Sequence, residues 1–284
     1  MVFYSRPTHS AFSSMETVTL IHTAAGVRRN IVEMIYRAKS SHIGCSLSVA
    51  DILVALYFSV MRVDSRAPAL PARDRLVLSK GHSVSALYAT LAERGFFSKE
   101  RILEYGTEGT TLASHAVHGS LPGMETSAGS GGHGQSLGVG MALAAMNDKT
   151  GSRIFVVSGD GEMQEGSAWE AIMFAGFHKL SNFTLVIDRN RFQDGSDGLG
   201  TEDILNADSF EDKLRAFHFD VERVNGHRFE ELIPALHAKT ARPRAIIADT
   251  VKGKGVSFME GRPEWHGKCP SAEEYATAMR ELSV

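Results

Sequence analysis

The sequence predicts a doubly wound α/β fold, a mainly parallel sheet with helices on both faces. Two observations carry this expectation. Residues 154–188 read as strand, turn, helix, strand, a βαβ unit whose two strands must run parallel. Strand and helix patterns then keep alternating toward the C-terminus with no stretch of linker composition between them, so one domain is expected.

The elements follow in order. Residues 1–16 lack the apolar core of a signal peptide and are expected to form a flexible tail, leaving 17–284 as the folded unit. Val27, Ile31, Met34 and Ile35 recur at helical spacing and predict a helix over 17–39. SSHIGCS breaks that pattern, and a second helix is expected to open at Ser48 or Asp51 and run to Met61. RLVLSKGH predicts a strand over 76–78 that stops at Lys80-Gly81-His82, followed by a helix through 87–94. Residues 106–132 hold His115, His118 and Pro122 in a long loop, and loops of that length inside a compact domain are usually functional. GQSLGVGMALAAMND, with small residues on one face, predicts a helix lying close on the sheet. The central unit is a strand over 154–158, the GDGE turn, a helix over about 167–179 and a strand over 183–188. Strands over 219–224 and 245–250 flank a helix near 229–240, and a C-terminal extension closes the chain.

Composition bounds the function. The chain has 284 residues, 43% of them hydrophobic, and a formal net charge of -3, which argues against a surface that coats nucleic acid. Cys45 and Cys269 are too few for a disulfide framework and fit a reducing, cytoplasmic setting. No apolar run approaches the ~20 residues of a membrane span.

In an open parallel sheet, ligands bind beyond the carboxyl ends of the strands. The polar residues following the expected strands are His82, Asp160, Asn190, Asn225 and Lys252. Turns favour Asp, Asn and Gly for conformational reasons alone, so each has a plain alternative. The GDGE turn favours a ligand: Gly159 and Gly161 let backbone approach it, and the helix beyond offers N–H groups to an anion. Asp160 would repel a bare phosphate, so a divalent cation is expected between them. Mg²⁺ prefers octahedral oxygen ligands. Asp160 and Asn190 therefore read as a clamp on a metal-bound diphosphate. Neither GxxxxGK[ST] nor, after the strand, GxGxxG occurs.

GDG with an asparagine thirty positions on is the thiamine diphosphate signature, and GDGEMQEGSAWEAI…KLSNFTLVIDRNRFQ resembles transketolase. The resemblance extends through SSHIG, LSKGH, PGMETSAGSGGHGQS, VKGKGVSFME and WHG, in family order, and covers the chain from Thr17 to about Gly267. It ends where a full transketolase continues into further domains, so the chain is similar to the N-terminal subunit of a split transketolase.

The resemblance implies a diphosphate-binding (PP-type) domain holding thiamine diphosphate and Mg²⁺, or Ca²⁺ or Mn²⁺ in its place. It implies Asp160, Asn190 and the Phe192 carbonyl as metal ligands, and Gly159, Gly161, Glu162, His82 and His266 around the diphosphate. Gly129 would approach the aminopyrimidine through its backbone. His42, His82, His115 and His266 would line the substrate channel and handle hydroxyl protons of sugars, work that suits imidazole. Glu165 would sit at a subunit interface coupling two active sites, with a first-turn helix residue as its plain alternative. Lys252 would neutralise phosphate or acidic neighbours, or be a solvated lysine. Zinc is a rival for the histidines, although no HExxH or CxxC spacing occurs.

Several positions depart from the family pattern. SSHIG stands where SGHPG is usual, Ala128 replaces a threonine, and Gly131 replaces the leucine that packs on the thiazolium. SHAVHG replaces GHPE and leaves His115 and His118 as alternatives. Thiamine chemistry also needs a glutamate at the pyrimidine, which in transketolases lies on a domain this chain lacks. A separate pyrimidine-domain partner is therefore implied, most simply as an α₂β₂ assembly, acting on sugars or sugar phosphates. Two alternatives stand beside it: a subunit of another thiamine enzyme, 1-deoxyxylulose-phosphate synthase-like or a decarboxylase, and a non-catalytic regulatory subunit.

Overall fold

The computed structural model describes residues 14–193 and 199–283. Among the described residues five strands form one sheet: β1 (Arg75–Leu78), β2 (Ile154–Gly159), β3 (Phe183–Arg189), β4 (Asp220–Asn225) and β5 (Arg244–Asp249). Their order is β1-β2-β3-β5-β4, with every neighbouring pair parallel. Strand side chains alternate between faces, so each strand feeds two cores. Phe155, Val157, Val186 and Ile246 join one cluster, while Val156, Leu185, Ile187 and Ile247 join the other.

The first core is covered by α1 (Ser14–Ala38), α2 (Ile43–Ala55), α3 (Val84–Glu93), α8 (Phe229–His237) and α9 (Ala272–Glu281). The second is covered by α4 (His133–Asn147), α5 (Gly166–Phe177) and α7 (Phe210–Ala216). The helix between β2 and β3 lies on the second face and that between β4 and β5 on the first, because the strand order reverses and crossovers keep one hand. The reversal falls between β3 and β5. The loops that leave those two strands therefore flank the position where such folds bind ligands.

The predicted strands all appear, within a residue or so of their expected ends. The second helix differs, beginning at Ile43 rather than at Ser48 or Asp51. His42 precedes it with φ 70, and its amide donates to the His266 carbonyl at 2.7 Å. Gly44 sits inside the first turn because a Cβ there would meet Lys252 Cγ at 3.0 Å and the Trp265 carbonyl at 3.1 Å. All thirteen residues of α2 are buried, so the segment has no polar face to give a period. Continued by a π-turn at Leu56–Val60, it yields an 18-residue helical run of mean hydropathy 1.9 that is 89% buried. That run is apolar and long enough to cross a membrane by length and composition; here it forms the centre of the first core.

Other differences are local. The GDGE turn leads into a 3-10 turn, Gly161–Gln164, before α5 starts at Gly166, so the nearest amides belong to that turn rather than to a long helix. The short helices α6 (Thr201–Ile204) and α7, and the closing helix α9, were not expected. The C-terminal extension packs back on α1: Tyr275 stacks on Tyr36 with centroids 4.1 Å apart, and Arg29 donates to the Leu282 carbonyl at 2.7 Å. The tail expected over 1–16 lies outside the described residues up to 13, and residues 14–16 already belong to α1. Both cysteines are free.

Candidate functional site

Asp160 follows β2 and is 3% exposed. Its Oδ1 accepts from the Gly161 amide at 2.9 Å and its Oδ2 from the Arg191 amide at 2.6 Å. Arg191 adopts φ 70 to deliver that amide, bending the chain after β3 over the end of β2. Asn190 is buried beside it, its Nδ2 donating to Asp188 Oδ2 at 3.3 Å and its Oδ1 accepting from the Phe192 amide at 3.2 Å. The Phe192 carbonyl accepts from Lys252 Nζ at 3.3 Å. The strand ends thus gather Asp160, Asn190, the Phe192 carbonyl and Lys252 in one place. Asn225 does not join them. It ends the edge strand β4, where its Oδ1 caps the His227 amide at 2.9 Å.

Beneath this group lies an ion pair that the strand-end pattern did not foretell. Lys80, from LSKGH, pairs with Asp188 near the end of β3, and both are buried. Asp188 also accepts from Ser48 Oγ at 2.7 Å and from Thr250 Oγ1. These bonds and the Lys80 charge outweigh burial and hold the Asp188 carboxyl below its usual range. Its sequence signal was available, since a carboxylate inside the apolar run FTLVIDR needs a cation.

Asp160 is the opposite case. Burial first, and then the Asp188 charge, push its carboxyl up to about 7, because its direct donors are two amides. Lys252 mirrors it. The side chain is fully buried, not solvated, and its ammonium touches the Phe192 carbonyl and, at 2.8 Å, His266 Nδ1. Among the described residues it forms no salt bridge, and burial lowers its pKa. A buried carboxylate short of a cation lies close to a buried ammonium short of an anion.

Four expected histidines meet. The His42 ring lies 5.3 Å from those of His82 and His266 and 5.9 Å from that of His115, and His82 and His266 are 5.3 Å apart. His118 is turned away, its Nδ1 2.7 Å from the Glu125 carbonyl, so His115 is the cluster member. Burial, followed by the Lys80 and Lys252 charges, lowers the His82 pKa to about 3, and its ring is neutral at physiological pH. Cys45, His82 and His266 bring ligand atoms within 4.8 Å of one another. Lys252 is bonded to His266, and Lys80 donates to the Cys45 carbonyl at 3.3 Å. Two ammonium groups make that spot suit an anion better than zinc.

The remaining expected residues lie around this centre. Glu162 turns inward: its carboxylate accepts from Ser79 Oγ, from the Gly132 amide at 3.0 Å, from Ser158 Oγ at 3.1 Å and from the Gly159 amide at 2.8 Å. It braces the turn with both oxygens engaged, which differs from a direct cofactor contact. A Cβ on Gly161 would come 2.8 Å from Gln193 Oε1, so this backbone packs where a side chain could not follow. Gly81 does the same for the loop, since its Cβ would lie 2.5 Å from the Ala128 carbonyl. Gly129 is exposed, with nothing within 4 Å of its Cβ position, and Glu165 is exposed at the start of α5.

Comparison with known proteins agrees with this geometry. The sequence model of the transketolase thiamine diphosphate binding domain matches residues 21–283. The chain is 43% identical over 272 residues to an apulose-4-phosphate transketolase subunit of Phocaeicola vulgatus, covering 95% of each. It is 40% identical over 272 residues to a 6-deoxy-6-sulfo-D-fructose transketolase subunit of a Clostridium species, covering 95% of this chain and 98% of that one. The solved transketolase of Campylobacter jejuni superposes with a TM-score of 0.85 at 31% identity, over 93% of this chain and 42% of that one. The chain thus spans about two-fifths of that full-length protein.

Proposed function

The chain belongs to the transketolase family, and from that premise we propose that it is the diphosphate-binding subunit of a two-subunit enzyme moving a two-carbon ketol unit between sugars. The observation that carries this reading is the nearness of buried Asp160 and buried Lys252 without a salt bridge between them. One buried group lacks a cation and the other lacks an anion, and a metal-bound diphosphate supplies both. Asp160, Asn190 and the Phe192 carbonyl would hold the metal, with Mg²⁺ the ion whose oxygen preference they suit. Thiamine diphosphate, when bound, supplies the carbon nucleophile that accepts and passes on the two-carbon unit.

The chain's own residues do the rest of what this half can do. Lys252 orients the anion, while the Gly161 amide, bonded to Asp160 Oδ1, holds that carboxylate in place. His42, His82, His115 and His266 face one another, and a neutral imidazole offers one donor and one acceptor to a sugar hydroxyl. Burial, and then the Lys80 and Lys252 charges, keep the His82 ring neutral, so it would serve as one hydrogen-bond donor and one acceptor. Glu162, whose charge acts on His82, is engaged by four protein donors and does not serve as the pyrimidine's acid. A separate polypeptide would supply that acid, in an α₂β₂ assembly in the cytoplasm. The names of the two relatives specify unusual sugars, which, with Ala128 and Gly131 in the loop, supports a specialised donor.

The test is to isolate the partner by co-purification from native cells and to measure mass and ketol transfer for the chain, the partner and the pair. The pair should exceed the chain alone by about 10²–10⁴, the usual worth of one positioned acid–base group. Full turnover by the isolated chain would refute the two-subunit reading.

A further inference from the structure

Past the end of β5, the Thr250 amide still reaches back to the Arg189 carbonyl at 3.2 Å, but the next amide does not bond to the sheet. Val251 N–H donates instead to His227 Nε2 at 2.8 Å. An acceptor Nε2 bears no proton, so the neutral ring carries its hydrogen on Nδ1, and that nitrogen lies 2.6 Å from Asp51 Oδ2. Asp51 is itself fixed by Arg28 through two bonds of 3.0 and 2.6 Å, and the side chains of Arg28 and Asp51 are 8% and 7% exposed. Burial works against the Asp51 charge, but Arg28 and His227 outweigh it and hold the carboxyl at about 2. The result is a run of hydrogen bonds in which Asp51 on α2 accepts from Arg28 on α1 and from His227, and His227 accepts from the amide of Val251. Gly226 permits it, since a Cβ there would lie 2.6 Å from Thr250 Cγ2 and lift the turn off β5.

The amide bonded to His227 belongs to Val251, and the next residue is Lys252. Its far side is held by the Gly253 amide on the Gly44 carbonyl at 2.8 Å and by the Gly261 amide on its own carbonyl at 2.9 Å. Its near side is held by His227. We propose that His227 is a positioning residue: clamped by Asp51, it fixes the Val251 peptide and thereby aims the Lys252 ammonium at the anion. This rests on the reading of Lys252 as an anion partner. It makes no use of the metal, and the ring bonds of His227 to Asp51 and Val251 involve neither the proposed metal ligands nor the histidine cluster.

Two conservative variants separate the bonds of the ring. His227→Asn presents its amide at the level of Nδ1, keeping a donor for Asp51 and losing the acceptor for Val251. His227→Gln reaches the level of Nε2 and keeps an acceptor for Val251. The full chain is titrated calorimetrically with inorganic diphosphate and Mg²⁺, and amide exchange is followed over 250–253. His227→Asn should weaken diphosphate binding by about tenfold or more, in the range usual for outer-shell partners, and speed exchange at Val251 with the melting temperature nearly kept. His227→Gln should restore both, and in the enzyme assembled with its partner the Asn variant should raise the KM for thiamine diphosphate more than it lowers kcat. Equal losses in both variants, or losses in neither, overturn the proposal. Failure of the wild-type chain to bind diphosphate overturns it together with the function on which it rests, whereas wild-type binding with an unaffected Asn variant overturns the proposal alone.

Discussion

The ends of β2, β3 and β5 and the loop over 115–132 face the same site but are built in different ways. At the strand ends Asp160, Asp188, Asn190 and Lys252 are all buried, and each is fixed by hydrogen bonds to its neighbours. In the loop Gly129 is exposed with open space at its Cβ position, and Gly131 would meet only Glu162 and Glu165 side-chain carbons, at 3.5 and 3.9 Å. A single chain finishes the first region and leaves the second uncovered. Substitutions at the strand ends should therefore act in the isolated chain, and substitutions in the loop only after assembly.

The largest effect is expected from Asp160→Asn. It removes the only charged ligand among the proposed three, so Mg²⁺-dependent diphosphate affinity should fall by more than about 10², read by calorimetry. The metal-free fold should survive and gain at alkaline pH. The folded carboxyl at about 7 stands above its unfolded value of 3.8, so the folded state holds the proton longer. Its contribution is fully present below about pH 4 and is lost as pH rises to about 7, on the order of 4 kcal/mol. Denaturation of wild type and variant at pH 5 and pH 8 checks the sign: the variant's advantage should be larger at pH 8.

Lys80→Met comes next. It leaves Asp188 buried with hydroxyl and amide donors alone, and breaking such a pair typically costs about 3–5 kcal/mol. Chemical denaturation of the metal-free chain measures it, and a loss below about 1 kcal/mol would mean that the pair does not hold the floor of the site. The pH response of the wild type is a milder test of the same region. Mg²⁺ must displace the Asp160 proton below about pH 7, so its affinity should weaken by up to about tenfold per pH unit there. Titration in two buffers of different ionisation heat should report proton release near pH 6 and little near pH 8.

The smallest effects belong to the loop. Gly129→Ala at its exposed position, and Gly131→Leu at a half-buried one with no contact closer than 3.5 Å at its Cβ position, should each leave the stability of the isolated chain within about 0.5 kcal/mol. In the assembled enzyme Gly131→Leu should narrow the donor range. An unaltered donor profile would place Gly131 outside the pocket, and a large loss of stability would show that the loop is as tightly built as the strand ends.

The sequence was most readable where residues answer to local rules. Apolar runs ending in Gly-Asp, Arg-Asn or Lys-Gly-His marked β1, β2 and β3 and put Asp160, Asn190 and His82 at their ends. The resemblance to a family supplied His42, His115 and His266, which lie on three separate segments and meet only in the fold. What escaped depends on tertiary partners. The start of α2 was hidden because a helix buried all round shows no period, and Gly44 reads as a breaker until Trp265 and Lys252 are seen against it. Lys252 could be read as solvated because nothing near it in sequence buries it. Asp51 reads locally as a helix start, and nothing local marks its bond to His227, which joins α2 to the turn after β4.

The most direct test is a paired calorimetric titration of the isolated full chain, in saturating Mg²⁺, with inorganic diphosphate and with thiamine diphosphate. If this chain holds only the diphosphate and metal end, both ligands should bind, with affinities within about tenfold of each other, or about 1.4 kcal/mol. The preference for thiamine diphosphate should then appear only when the partner protein is added. Thiamine diphosphate binding to the isolated chain about 10³-fold tighter than diphosphate, or no binding of diphosphate at all, would contradict the division of the site between two polypeptides.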